Sequence, residues 1–162
     1  MSVAFTREED VEAAAAHLPD RPISPHPNLV TPEGLAALEA ALAAARVAFS
    51  AAQNAGTVQA DRTAMSRAAR DLKYFSARRA SAQVVAPAAS SGQVMFGSTV
   101  TFDRADGRRQ TFRIVGEDEA DAAHGTVSHV SPLARALMGK AAGDTAVVAG
   151  AEVELVNVEV WD

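Results

Sequence analysis

The sequence predicts an α+β protein: an N-terminal antiparallel α-helical hairpin of coiled-coil type, followed by a C-terminal unit of β-sheet and helix. Three observations predict it. Leu35, Leu38, Leu42, Ala45, Phe49 and Ala52 recur at alternating steps of three and four, and Met65, Ala68, Leu72, Phe75, Arg79 and Ala82 repeat the pattern. Further on the period becomes two, with Ser98–Phe102 and Gln110–Val115 alternating around the Asp106-Gly107 turn. Between the patterns lies Ala86-Pro87-Ala88-Ala89-Ser90-Ser91-Gly92, small residues and turn formers with little to bury. The division that follows is an extension with a proline-rich linker over 1–30, the hairpin over 31–85, a linker over 86–93 and a second domain over 94–162.

The extension opens with Thr6 and, three residues on, Glu9, a capping-box pattern for a short helix to about His17. Pro19, Pro22, Pro25 and Pro27 then favour an extended, semi-rigid tether, with a docking arm for a partner as the alternative. Thr31-Pro32-Glu33-Gly34 starts the first hairpin helix with a cap, a proline that needs no N–H donor and an acid near the positive end of the dipole. Gly56 and Asp61 read as the C-cap and N-cap around a connection too short for anything but antiparallel helices. Each arm has about 22 residues, or roughly 33 Å. In the second domain a strand-like TVSHV segment precedes Ser131-Pro132, a cap and first residue for a short helix. Thr145–Val148 and the run Val153, Leu155, Val156, Val158, Val160 read as two closing antiparallel strands. The expected core is Phe96, Phe102, Phe112, Ile114, Leu133, Leu137 and those valines.

Composition narrows the function. Hydrophobic residues make up 48% of the chain but aromatics only 5%, so helix propensity and a few large side chains must carry stability. There is no cysteine, which removes disulfide and thiol chemistry. No apolar run is expected to reach the ~20 residues of a membrane span, and MSVAFTREED lacks a signal-peptide layout, so the cytoplasm is the expected location. The net charge of −5 is unevenly spread: residues 31–85 hold seven basic and four acidic side chains, while the flanking segments are acidic. Arg67, Arg70, Lys73 and Arg78 form the hairpin's basic face, which either meets phosphate or an acidic wall, or simply shields the seam. Arg79 is placed on the seam, its guanidinium reaching out to water.

FGSTVTF, RIVGEDEAD, SPLARALMGK and the later Gly143-Asp144 resemble the C-terminal domain of the bacterial Gre transcription factors, and TPEGL resembles the start of their coiled coil. The resemblance runs from about Thr31 to the end of the chain. It implies an FKBP-like fold for the second domain and RNA polymerase as the partner, with the hairpin entering the secondary channel. It also implies docking through Glu117, Asp118, Glu119 and Asp121 and through Ser131, Pro132 and Arg135. The family's tip motif, G-D-L-x-E-N-A-E-Y, aligns with Gly56 to Ala64, so its two acids correspond to Thr57 and Ala60. A hydroxyl and a methyl cannot replace two carboxylates on Mg²⁺. Asp61 is the remaining acid near the tip, a displaced metal ligand on one reading and a cap on the other. Both arms are about one heptad shorter than the family hairpin, on the order of 10 Å less reach.

The chain is therefore expected to bind polymerase as a monomer and to regulate initiation or elongation without ordinary transcript-cleavage stimulation. It would have no cofactor of its own and at most share the Mg²⁺ of the polymerase active centre. Contact with nucleic acid would be indirect, and no membrane is involved. The alternatives are a cleavage factor using Asp61 or polymerase acids, and a binding module independent of polymerase. Other chemistry is poorly provided for. His17, His26, His124 and His129 lack metal-ligand spacing, and neither a G-x-S-x-G elbow nor a glycine-rich phosphate loop is present. The acidic loop 117–121 lacks the ligand pattern of a calcium-binding helix–loop–helix. Prolyl isomerase activity would need clustered aromatics that the core already claims.

Overall fold

A computed structural model describes residues 18–54, 59–86 and 91–160, with only the backbone described at 59–61. The expected helix over 6–17 and the Gly56 cap lie outside the described residues. The chain forms two units, one of 1–25 with 38–81 and one of 26–37 with 82–162. The first six residues of the first hairpin helix thus belong to the C-terminal unit.

In the first unit the predicted hairpin is present. Helices α1 (Pro32–Asn54) and α2 (Gln59–Ser81) have 23 residues each. Arg79 near the end of α2 donates from Nε to Glu39 near the start of α1 at 3.0 Å, as antiparallel arms require. Leu38, Leu42 and Ala45 of α1 and Ala68 of α2 are buried, with Phe49, Leu72 and Phe75 half-buried beside them. Each buried leucine contributes about 1.5–3 kcal/mol. Toward the tip the seam thins: Met65 is exposed, and alanine replaces the larger side chains.

Two expectations change here. Arg78, assigned to the solvated basic face, is 1% exposed, whereas Arg79, assigned to the seam, is half-buried and ion-paired with Glu39. The heptad step puts Arg79 on the seam and Arg78 one residue, about 100°, away from it, so the burial of Arg78 is set by its surroundings in the fold and not by the period. Asp61 lies inside α2, two residues past its start, because the helix begins at Gln59 and not after a cap at 61.

The proline-rich segment is not a free tether over residues 18–25. Arg21 donates to Asp71 at 3.1 Å, and its guanidinium lies 3.9 Å from the Tyr74 ring centroid. Asp20 pairs with Lys73. Proline keeps the segment extended, so few conformations are lost when Arg21 stacks on α2.

By length and composition α1 is apolar enough to cross a membrane, contrary to the sequence expectation. Ten of its 23 residues are alanine, which raises hydropathy without adding bulk. Glu39 and Arg46 interrupt it, and the Glu39 pair with α2 matches its role as a hairpin arm.

The second unit begins with two strands too short to announce themselves in sequence. β1 (Leu29–Val30) runs parallel to β2 (Gln83–Val84), with Gln83 N–H on the Asn28 carbonyl at 2.8 Å and Val85 N–H on that of Val30 at 2.9 Å. The main sheet has five strands, β3 (Thr99–Arg104), β4 (Arg109–Val115), β5 (Thr126–Ser128), β6 (Thr145–Val148) and β7 (Ala151–Glu159), in the order β5-β4-β3-β7-β6. All neighbours are antiparallel except β4 and β5. Asp106-Gly107 closes the β3–β4 hairpin, Gly107 at φ 85°, a region open to glycine. Asp103 and Arg109 face each other across this hairpin and form a two-pronged ion pair at 2.7 and 3.0 Å.

The helix α3 (Pro132–Leu137) buries Ala134 and Leu137 against Val94, Val100, Phe102, Ile114, Ala146, Val148, Val153 and Leu155. Phe112, Leu133 and Val158 pack at its edge, as partly buried members of the predicted core. Phe96 stays half-buried, its ring edge-on to His129 at 5.5 Å. The TVSHV segment supplies only the three residues of β5 before turning into α3, because Ser131 N–H bonds back to the Ser128 carbonyl at 3.0 Å.

Candidate functional site

The site begins where β4 ends. Gly116 is buried, and its N–H donates to Glu119 Oε2 at 3.1 Å while Glu119 N–H returns to the Gly116 carbonyl at 3.2 Å. The Glu119 side chain then reaches 88 residues back along the chain. Thr31 N–H donates to Oε2 at 3.0 Å, and the Thr31 hydroxyl donates to Oε1. That hydroxyl also accepts from Gly34 N–H at 3.0 Å, while Leu35 N–H closes on the Thr31 carbonyl at 2.9 Å. Thr31 is thus the N-cap of α1, with a carboxylate behind it. A Cβ at Gly34 would lie 2.1 Å from Glu119 Cδ, and one at Gly116 2.4 Å from the Leu29 carbonyl oxygen.

The rest of the acidic loop divides its work. Asp121 caps the short turn Ala122–His124, accepting from Ala123 N–H at 3.1 Å and lying 2.6 Å from His124 Nδ1. Thr126 Oγ1 accepts from Asp121 N–H at 2.7 Å. Glu117 is half-buried and Asp118 is exposed. The hydrogen bond with His124 first, and those from the Ala123 and His124 amides after it, hold the Asp121 carboxyl below its ordinary value of 3.8. A lowered folded-state pKa stabilises the cap above the unfolded value and stops doing so as pH falls through the folded one. Acidification below the ordinary carboxylate range is therefore expected to lower the protection of the Ala123 and His124 amides, measured as exchange relative to the intrinsic rate at each pH. Asp121→Asn, which keeps a capping oxygen, should make that protection insensitive to acid over the same range. Equal acid sensitivity in the variant would contradict the assignment.

Ser131 caps α3, its Oγ accepting from Ala134 N–H at 3.2 Å, and Pro132 occupies the first helical position, exposed. Arg135 is exposed on the same helix, 3.3 Å from His26 Nε2. Asp118, Pro132 and Arg135 are thus solvent-facing, whereas Glu119, expected at a docking surface, is committed to internal bonds. The sequence revealed the Thr31 cap but not its partner, since spacing along the chain carries no sign of a contact 88 residues away.

On the hairpin, Arg67 is exposed, Lys73 pairs with Asp20, and Arg78 is buried, so the expected four-residue face loses one member. Arg70 is half-buried and, among the described residues, has no hydrogen-bond partner at Nε. It borders a groove of about 570 Å³ lined, among the described residues, by Leu18, Arg62, Met65, Ala69 and Lys73. Also among the described residues, no three His, Cys, Asp or Glu side chains are grouped to hold a metal ion.

The family model "Transcription elongation factor, GreA/GreB, C-term" matches residues 89–162. The chain is 46% identical over 94 residues to transcription elongation factor GreA of Alkalilimnicola ehrlichii, covering 55% of this chain and 60% of that one. It is 41% identical over 96 residues to transcription elongation factor GreB of Neisseria meningitidis, covering 56% and 59%. The match thus spans about 60% of the length of these relatives. Among solved structures, GreA factor homolog 1 of Thermus thermophilus aligns over 83% of this chain and 99% of its own at 20% identity, with a TM-score of 0.38. Residues 89–162 are thus similar to the C-terminal domain of the GreA/GreB transcription elongation factors.

Proposed function

We propose that the chain is an RNA polymerase-binding regulator of transcription elongation or initiation that lacks ordinary transcript-cleavage stimulation and has no catalytic chemistry of its own. One pairing carries this reading: a GreA/GreB C-terminal domain over 89–162 joined to a hairpin tip whose aligned acidic positions are Thr57 and Ala60. The C-terminal unit docks, using the exposed Asp118 and the half-buried Glu117 of the loop and the exposed Pro132 and Arg135 of α3. The hairpin enters the secondary channel, where Arg67 and Arg70 supply positive charge toward nucleic acid or an acidic wall. Asp61 alone provides too few oxygens for a divalent ion, so the hairpin changes access to the channel, and cleavage by polymerase is not assisted.

The test is capture of core polymerase by the full chain, followed by RNA cleavage in a backtracked complex. Wild type is expected to bind without accelerating cleavage. Asp118→Lys should weaken binding about tenfold if the loop meets a basic surface. Unchanged affinity in Asp118→Lys would show that the loop does not dock. Cleavage that is stimulated by wild type and lost in Asp61→Ala would replace this reading with that of a cleavage factor. A chain that does not capture polymerase would be a module with another partner.

A further inference from the structure

We propose that Glu119 is a positioning residue that ties the first turn of α1 to the loop leaving β4, and that the hairpin's engagement with polymerase depends on this tie. The inference rests on the polymerase-binding reading and concerns how the two motifs TPEG and GEDE act within it.

The bonds form one connected set. Gly34 N–H donates to the Thr31 hydroxyl, and the hydroxyl donates to Glu119 Oε1. Thr31 N–H at 3.0 Å and Gly116 N–H at 3.1 Å both end on Oε2. An isolated helix is capped adequately by threonine alone, so the carboxylate adds something a cap does not need. It joins the first turn of α1 to β4, and each hydrogen bond to the charged acceptor is stronger than a neutral one. Space at this joint is allotted by two glycines. At Gly34 a methyl would strike the Glu119 carboxylate itself, and at Gly116 it would strike the backbone of β1. The pairing of β1 with β2 holds the returning chain after α2 in the same unit as this joint.

Hydrogen exchange on the full chain, free and bound to core polymerase, tests this. Glu119→Ala and Thr31→Val are expected to speed exchange at the first turn of α1 by about tenfold or more while sheet amides such as that of Val100 are unchanged. Both variants should hold polymerase affinity within about threefold of wild type yet lose the protection that polymerase gives the hairpin amides. Glu119→Gln keeps an oxygen for the two backbone donors and Thr31→Ser keeps the hydroxyl, so these should restore most of that protection. Hairpin protection that stays at the wild-type level in Glu119→Ala and Thr31→Val would overturn the positioning role and leave polymerase binding intact. So would a glutamine variant no better than the alanine one. A wild-type chain that does not bind polymerase would overturn the functional reading, and the positioning role with it.

Discussion

Phe102→Ala is expected to cost the C-terminal unit about 3–5 kcal/mol, close to the whole stability of a domain this small. Phe102 has no exposed surface and sits at the centre of β3, with Val100 and Leu155 also fully enclosed around it. Its ring stacks on Phe112 with centroids 6.2 Å apart, and the Arg104 guanidinium covers it at 5.4 Å. The register between β3 and β7 shifts between Thr101 and Phe102, so the strands are locked together here and cannot slide to refill the space. Few other large side chains are available, because aromatics are only 5% of the chain. Urea unfolding followed by near-ultraviolet circular dichroism measures the loss. Val147→Ala on the edge strand β6, where the side chain is 67% exposed, should change stability by less than about 0.5 kcal/mol. Similar losses for the two variants would mean that the core is not organised around Phe102.

Gly116→Ala is expected to destabilise the same unit by about 1–3 kcal/mol, as overpacking does where nothing can yield. The atom 2.4 Å from the added methyl is the Leu29 carbonyl oxygen, part of the β1 backbone that pairs with β2. Backbone cannot rotate away as a side-chain end can, so either β1 moves or the Glu119 carboxylate, 2.9 Å from the methyl, loses its place. Thermal unfolding gives the size of the effect, and a crystal structure of the variant shows which of the two moves. A neutral Gly116→Ala would mean that this close approach is not needed for folding.

The family domain, the two helices, the β3–β4 hairpin and the Ser131 cap of α3 were all legible in sequence, for one physical reason. Each is written in near-neighbour terms: a repeat of three and four, an alternation of two, an Asp-Gly turn, a serine before a proline. A residue's exposure along such an element follows its period, which is why Leu38, Leu42 and Phe102 could be placed in advance. The sequence alone also showed that the tip's aligned positions hold threonine and alanine, since identity needs no coordinates.

Tertiary structure alone decided the contacts between segments far apart in the chain. Periodicity chose Arg79 for the seam, yet Arg78 is the buried one, because burial also depends on surroundings that the period does not encode. Two-residue strands have no period to detect, so the pairing of Leu29–Val30 with Gln83–Val84 was invisible. Proline content pointed to an extended segment at 18–25 but not to the Arg21 contact with Tyr74 that holds it. Glu119 looked like one acid among four in an exposed loop, until the fold brought Thr31 and two glycines around it. A carboxylate's role depends on which donors reach it, and when these come from 88 residues away only the folded chain can supply them.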